Sequence, residues 1–383
     1  MEKKYFYFQP QYVNKFKCDG SKCNAQCCRT SWDIFIDKET YKLYSQDITS
    51  HMKFNSDKGE YQILFGEKNC CPFLTENKLC RLQLEHGEKF LSLTCATYPR
   101  ITSNFGYFFE RSLNLSCPLA AEMILFEREP MQFEFVEVPE KIHSHGGKIL
   151  CQQIESTEEL RAHMIEIQVA MISILQERTL TLDQRLIVLG FFVDRLEEIL
   201  SDFDEDALIK LIAAYESKKF LAEQVPLMLQ SVSFDAEKFV RLMRELFEKT
   251  FDEKTSPQEK KVLDNVAANY RLTTEKKNFF EEYSPLLENY LVNEWFQNIY
   301  PWRFAGSFAQ NFAEFIAEYK LFESIIFFAT LKVSSDKKYL LGLIGLFMIR
   351  FEHSKEHRRR IFDRFKDLNE PFTIMESLLE GRQ

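Results

Sequence analysis

The sequence predicts a mainly α protein of α+β type: a small cysteine-rich N-terminal metal module with short strands, followed by a multi-helix C-terminal bundle. Three observations carry this expectation. Nine of the ten cysteines lie no later than Cys117, and only Cys151 follows. Apolar residues recur at three-and-four spacing through most of the second part of the chain. Short mixed runs punctuated by Gly, Pro and Asn fill the first part. At 383 residues, 45% hydrophobic and 28% charged, the chain is long enough for two or three domains and globular in composition. The boundary is expected within residues 138–153, where Pro139 and the Gly146–Gly147 pair interrupt either periodicity. That divides the chain into a metal or iron–sulfur module, residues 1–145, and a helical domain, residues 146–383.

Taken in order, "WDIFI" (32–36) and "YQILF" (61–65) read as short strands, and "ITSNFGYFFERSLNLS" (101–116) as a hairpin turning at Gly106. Cys117-Pro118 opens "CPLAAEMILFERE", an apolar helix with proline near its first position, where the missing N–H costs nothing. Capping-box patterns at Ser156/Glu159, Thr181/Gln184 and Ser256/Glu259 precede amphipathic runs. "EKTSPQEKK" (253–261) reads as a loop between helical groups. The 37 phenylalanines include a run at helical spacing, Phe304, Phe308, Phe312 and Phe315, which core packing explains better than a substrate groove.

Composition excludes several classes. A net charge of −9 opposes broad nucleic-acid binding, which needs basic surface, and suits a basic substrate such as a lysine-bearing surface; solubility is the plainer reason for it. No apolar run approaches the roughly 20 residues of a membrane span. The longest, "SIIFFATLKV" (324–333), fits a buried helix. "MEKKYFYFQPQYVNKFKC" has no secretory h-region, so a cytoplasmic location is expected, where thiols stay reduced and clustered cysteines favour metal over disulfides.

The first cysteine cluster is Cys18-x4-Cys23-x3-Cys27-Cys28, and the second is Cys71, Cys80, Cys95 and Cys117, with Cys70 beside Cys71. Short loops let several sulfurs converge, and no histidine lies in the first cluster; His51 and His86 have unremarkable surroundings. An all-sulfur site follows, which admits both zinc and iron–sulfur. Adjacent cysteines, particularly in extended backbone, point apart, so Cys27 and Cys28 are expected to serve different partners, or one of them to be a buried structural thiol. Cys117, ahead of a helix, has an N-terminal dipole that favours a thiolate. There is no G-x-G-x-x-G, P-loop, H-E-x-x-H or G-x-S-x-G, and Thr30 stands where the C-x3-C-x2-C run of radical S-adenosylmethionine enzymes would need cysteine.

Four blocks, "FKCDGSKCNAQCCRTSWDIFIDKETY", "NCCPFLTENKLCRLQLEHG", "FLSLTCATYPRI" and "ERSLNLSCPLAAEMIL", together with "LENYLVNEWFQNIYPW" (287–302), resemble the bacterial flagellin lysine-N-methylase (FliB-like) family over most of the chain. The resemblance implies methyl transfer from S-adenosylmethionine to lysine ε-amines of flagellin as protein partner, with no nucleic acid and no membrane partner. It also implies an iron–sulfur cluster of 4Fe–4S type, zinc being the alternative, held from among Cys18, Cys23, Cys27, Cys28, Cys71, Cys80, Cys95 and Cys117. Beside these motifs, Tyr98 and Arg100 are the expected catalytic residues, with Tyr98 orienting or deprotonating the amine. Arg111, Trp32 and Asp33 are expected to bind the cofactor, with Arg100 and Arg111 suited to its carboxylate. The competing reading is a non-enzymatic zinc- or iron–sulfur-stapled interaction module, or a metal-handling protein.

Overall fold

A computed structural model describes residues 5–29, 33–66, 69–106, 108–138, 158–250, 273–353, 355–365 and 372–380. Trp32, Cys151, the Ser156 and Ser256 capping patterns, the loop at 253–261 and residues 139–153 of the expected boundary lie outside these residues. The chain divides into two units: Met1–Ile124 with Gln132–Leu150, and Leu125–Met131 with Cys151–Gln383.

The first unit holds two sheets. β1 (Tyr5–Pro10) lies parallel to β6 (Phe109–Leu113) and antiparallel to β7 (Phe133–Val138), and β5 (Arg100–Asn104) completes the order β5-β6-β1-β7. β5 and β6 are the expected hairpin: Gly106 sits at φ +93° and donates its N–H to Asn104 Oδ1 at 2.9 Å. β1 and β7 are strands that the sequence analysis did not name. "YFYFQP" opens on four consecutive aromatics rather than alternating, and its pairing partner β7 lies about 125 residues away, as the Gln9–Glu134 contact shows.

The second sheet, β2-β4-β3, joins β2 (Phe35–Ile36), β3 (Met52–Asn55) and β4 (Glu60–Ile63). The two expected strands are present but shorter than their apolar runs. Ile34, Ile36, Ile48, Ile63, Phe73 and Leu82 form the core beneath them, with Cys71 and Cys80 packed against it. The helix expected after Cys117, α1, runs Pro118–Leu125 with proline first.

The second unit is helical: α2 (Glu158–Leu175), α3 (Leu182–Ser201), α4 (Glu205–Glu216), α5 (Lys218–Ser231), α6 (Ala236–Thr250), α7 (Thr273–Asn298), α8 (Phe308–Lys332), α9 (Lys337–His353), α10 (Lys355–Arg364) and α11 (Phe372–Leu378). No helix among the described residues is long and apolar enough to cross a membrane. The Thr181/Gln184 capping box forms at the start of α3. A second one, Ser307/Gln310, starts α8 and was missed in the sequence, so Phe304 precedes the helix and packs its ring against Phe362 instead of joining the Phe308–Phe312–Phe315 stripe. Phe312 and Phe315 are fully buried, as core packing requires. α3 and α8 approach closely enough that a Cβ on Gly190 would lie 2.9 Å from Phe312 and 2.5 Å from the Met375 sulfur.

Charge is buried here in closed sets. Glu288 accepts from Arg185 Nη1 at 2.7 Å and from Arg178 Nε at 3.0 Å, with Glu288 and Arg185 almost fully covered. Lys320 donates to Asp183 at 2.5 Å and Glu323 at 2.9 Å. Such pairs contribute little net stability as units, but removing one member strands a buried charge. Glu288→Gln is therefore expected to cost about 3–5 kcal/mol in urea unfolding, against less than about 1 kcal/mol for Glu198→Gln at the exposed pair with Arg195. Equal effects of the two substitutions would remove the Glu288 set from its structural role.

Candidate functional site

The first cysteine loop is wound tightly. Asp19 Oδ1 accepts from the Ser21 hydroxyl and N–H, Ala25 N–H donates to Gly20 C=O at 2.7 Å, and Asn24 and Ala25 both adopt positive φ. Cys27 and Cys28 then fall in one turn of 3-10 helix, Gln26–Arg29. The loop is clamped to the second cluster at two points. Cys71 N–H donates to Cys28 C=O at 2.8 Å. Gly20 lies so close to the Lys78 carbonyl that an added Cβ would stand 2.4 Å from its oxygen. Any other residue at position 20 would push the two loops apart.

Thiols from both clusters consequently share one neighbourhood, with Cys27 at its centre. Hydrogen bonding with the Cys28 thiol is the main influence on Cys27, followed by burial, and both push it upward. The pair sits in helical rather than extended backbone, with the Cys28 thiol acting directly on Cys27. Burial pushes Cys71 up to about 12, reinforced by Cys95, Cys80 and Cys27. Burial likewise raises Cys117 to about 12; N–H groups of Ala120 and Leu119 at the start of α1 pull the other way, and Cys23 and Cys27 add to the rise. The helix dipole expected to favour a Cys117 thiolate is present, and desolvation outweighs it. Cys18, Cys23 and Cys95 are raised too, burial being the largest cause for each, and Cys27 acts on all three. Cys18 and Cys95 are open to solvent by area, so their rise reflects the crowding on the side of the thiols.

Among the described residues no three His, Cys, Asp or Glu side chains are grouped as a ready-made metal site. The donor chemistry nevertheless fits a thiophilic metal or cluster. The eight cysteines are free thiols, and burial together with neighbouring sulfurs opposes thiolate formation at Cys18, Cys23, Cys71, Cys95 and Cys117 until a cation compensates. His51 meets Phe73 edge-on and His86 stacks on Phe90, so neither histidine joins them in these contacts.

The remaining sequence-predicted residues scatter around this centre. Tyr98 is half-buried, its hydroxyl 3.0 Å from Ser116 Oγ, and desolvation followed by Cys117 raises it well above the phenol range. It can orient a partner by hydrogen bonding; as a base it is poor. Arg100 donates to Phe16 C=O at 3.1 Å, lies over the Phe16 ring, and feels Cys18. Arg111 stacks 4.2 Å over Tyr7 on one face of the four-stranded sheet, and its buried Nη2 has no hydrogen-bond partner. Asp33 is exposed and accepts from Gln62 Nε2 at 2.6 Å, away from the thiols in its contacts. One notable residue was missed: Glu110, fully buried with neither carboxyl oxygen hydrogen-bonded. An acidic residue inside the aromatic run "YFFERSL" was its sequence signal.

Residues 168–379 match the family model described as the FliB lysine N-methylase C-terminal domain. Over 135 residues, 32% of this chain, it is 37% identical to a lysine-N-methylase of Salmonella typhimurium and 36% identical to one of Salmonella choleraesuis, in each case covering 33% of the relative. It is 36% identical to the flagellar biosynthetic protein FliU of Salmonella muenchen, covering 79% of it. The match thus spans about a third of the length of the two lysine-N-methylases. No solved structure matches.

The thiol geometry makes a direct prediction for metal-free protein. Folded Cys71 and Cys117 titrate near 12, above the roughly 8.5 of an unfolded cysteine. The folded state therefore favours the thiol, and this contribution to stability is complete below about 8.5 and is lost as pH rises toward 12. Iodoacetamide labelling of these two residues at pH 8 is expected to run at least about a hundredfold slower than in urea, and to climb about tenfold per pH unit. Labelling at the unfolded rate would show that the thiols are not buried as described.

Proposed function

The chain belongs to the FliB lysine N-methylase family, and on that premise we propose that it is an S-adenosylmethionine-dependent protein-lysine N-methyltransferase acting on flagellin. The observation that carries the reading is the family match over residues 168–379, joined to relatives named lysine-N-methylase and a flagellar biosynthetic protein. The cysteine neighbourhood adds the proposed cofactor: Cys18, Cys23, Cys27, Cys28, Cys71, Cys80, Cys95 and Cys117 would supply the ligands of an iron–sulfur cluster, with zinc as the other group their chemistry accepts. When bound, such a group supplies thiolate bonds that staple loops distant in sequence.

Methyl transfer needs a neutral amine aligned with an electrophilic sulfonium methyl, which the donor supplies. The nitrogen lone pair forms the new C–N bond, and sulfur keeps the electron pair of the breaking C–S bond. Arg111 offers its unpartnered Nη2 to the donor's carboxylate, a pairing guanidinium geometry suits. Tyr98, held by Ser116, orients the amine through its hydroxyl. Arg100, beside Cys18, offsets negative charge on the thiolates. Burial of Arg111 and partial burial of Tyr98 limit water near these groups, which strengthens each polar contact.

Anaerobically purified protein, given flagellin and methyl-labelled S-adenosylmethionine, is expected to place label on flagellin lysines. Arg111→Gln should weaken donor binding about tenfold, and Cys27→Ser should lose metal where Cys70→Ser keeps it. Metal-replete protein that neither binds the donor nor transfers label would overturn the assignment.

A further inference from the structure

Away from the thiols, one histidine is held by two acids on different helices. His163 of α2 places Nδ1 2.6 Å from Glu166 Oε2, one turn on along the same helix. Its Nε2 lies 3.0 Å from Glu205 Oε1, in the first turn of α4. Only 14% of the His163 side chain is exposed, whereas both carboxylates are open to solvent. An ionised carboxylate only accepts hydrogen bonds, so both ring nitrogens must donate, and only the imidazolium carries two N–H groups. The arrangement is therefore that of a protonated histidine.

The charges around the ring favour the same form. Four acids in five residues, Asp202, Asp204, Glu205 and Asp206, lead into α4. Asp204 caps the helix by accepting from Ala207 N–H at 2.9 Å, and the helix N-terminus offsets part of this charge. The His163 ring ties this acidic turn to α2. α2 also packs against α3 and α7. The charges those helices bring to it, Arg185 and Glu288, bond each other, and Arg185 donates to Leu175 C=O, about 18 Å along α2 from His163. Hydrogen bonding to Glu205 and then to Glu166 raises His163 above its ordinary 6.5, against the opposing pull of burial.

We propose that His163 is a proton-dependent clasp between α2 and α4: protonated, it holds the first turn of α4 through Glu205, and neutral, it lets that turn loosen. On release an N–H bond of the ring breaks, its electron pair stays on nitrogen, and the proton passes to water. One nitrogen then keeps its hydrogen, so at most one of the two bonds survives, and that one without charge assistance. The other nitrogen turns a lone pair toward a carboxylate oxygen, and the acids of α4 lose their bridging cation. Because the folded ring holds its proton more tightly than the unfolded one, the clasp is complete below about pH 6.5 and is lost as pH rises through the folded value. The device is independent of the thiols and of the proposed methyl transfer, and it works around neutral pH, where histidine is the side chain that titrates.

Hydrogen exchange of the full chain, followed by mass spectrometry between pH 6 and pH 8.5 and corrected for the intrinsic chemical rate, tests the clasp. Protection of the amides in the first turns of α4 should fall several-fold across this range in the wild type, while the start of α3 at its Thr181/Gln184 cap stays level. His163→Gln and Glu205→Gln should each show the lower protection at every pH. His163→Lys keeps a cation across the range and should retain the higher protection at pH 8.5, which a purely structural loss of the ring would not allow. Protection of α4 in the wild type that does not change with pH, the same pH profile in His163→Gln, or a fall in His163→Lys equal to that of the wild type overturns the clasp.

Discussion

Sulfur crowding around Cys27 is the constraint on which the first unit depends. Four separate stretches of chain bring thiols to it: the wound loop of residues 18–28, the turn at Cys71–Cys80, the short helix Leu93–Thr97 that carries Cys95, and the start of α1 at Cys117. Six buried apolar residues lie under the three-stranded sheet, with Cys71 and Cys80 packed against them. Neutral thiols pack there as small hydrophobes, but they cannot ionise together, because each thiolate raises the next. Burial and neighbouring sulfurs therefore favour the protonated form at Cys71, Cys95 and Cys117 until a cation compensates. That explains why local details such as Gly20 against Lys78 C=O and Cys71 N–H on Cys28 C=O are built so tightly: they hold the sulfurs near one another before any ligand bond forms.

The second unit solves the burial of charge by the opposite means. Glu288 with two arginines, and Lys320 with two carboxylates, are complete within the protein and need nothing from outside. Tyr300, Arg303, Glu314 and Glu318 form a third set between the start of α8 and the turn before it, in which one oxygen of Glu318 keeps no hydrogen bond. The first two sets fix helix register, since each links helices that would otherwise slide on an apolar seam. α3 contributes Arg185 and Asp183 to two of them, and Glu197 of the same helix accepts from the first N–H groups of α8 at Phe308 and Ala309.

The legibility of this fold follows interaction range. Helices of the second unit were readable because their periodicity and caps are local: Thr181/Gln184 announces α3 within four residues. Ser307/Gln310 does the same for α8, but phenylalanine spacing across Phe304 disguised the true start. β1 and β7 were not readable, since each becomes a strand only by pairing with a segment far along the chain. At the site, cysteine spacing marked out the two clusters, while the influence of Cys28 on Cys27 depends on a 3-10 turn that spacing does not encode. Glu110 was legible only as an oddity, an acid in an aromatic run; its burial and lack of partner are properties of the sheet, not of "YFFERSL".

The two kinds of buried charge point to a division between structure and chemistry. Where a charge is satisfied internally, as at Glu288, its conformational freedom is spent on holding helices. Where it is left open, as for the thiols around Cys27, the Nη2 of Arg111 and the carboxyl of Glu110, the protein bears a desolvation cost with no internal return. Such costs are tolerated where an outside group cancels them. In this chain the open groups differ in what they would accept: soft metal for the sulfurs and an anion for the guanidinium, while the buried carboxyl keeps its proton. All three fall in the first unit, and Arg111 and Glu110 are neighbours on β6 that face opposite sides of one sheet. A strand that presents a base on one face and an acid on the other cannot satisfy them with each other, so the carboxyl stays protonated and the guanidinium stays open to an anionic ligand.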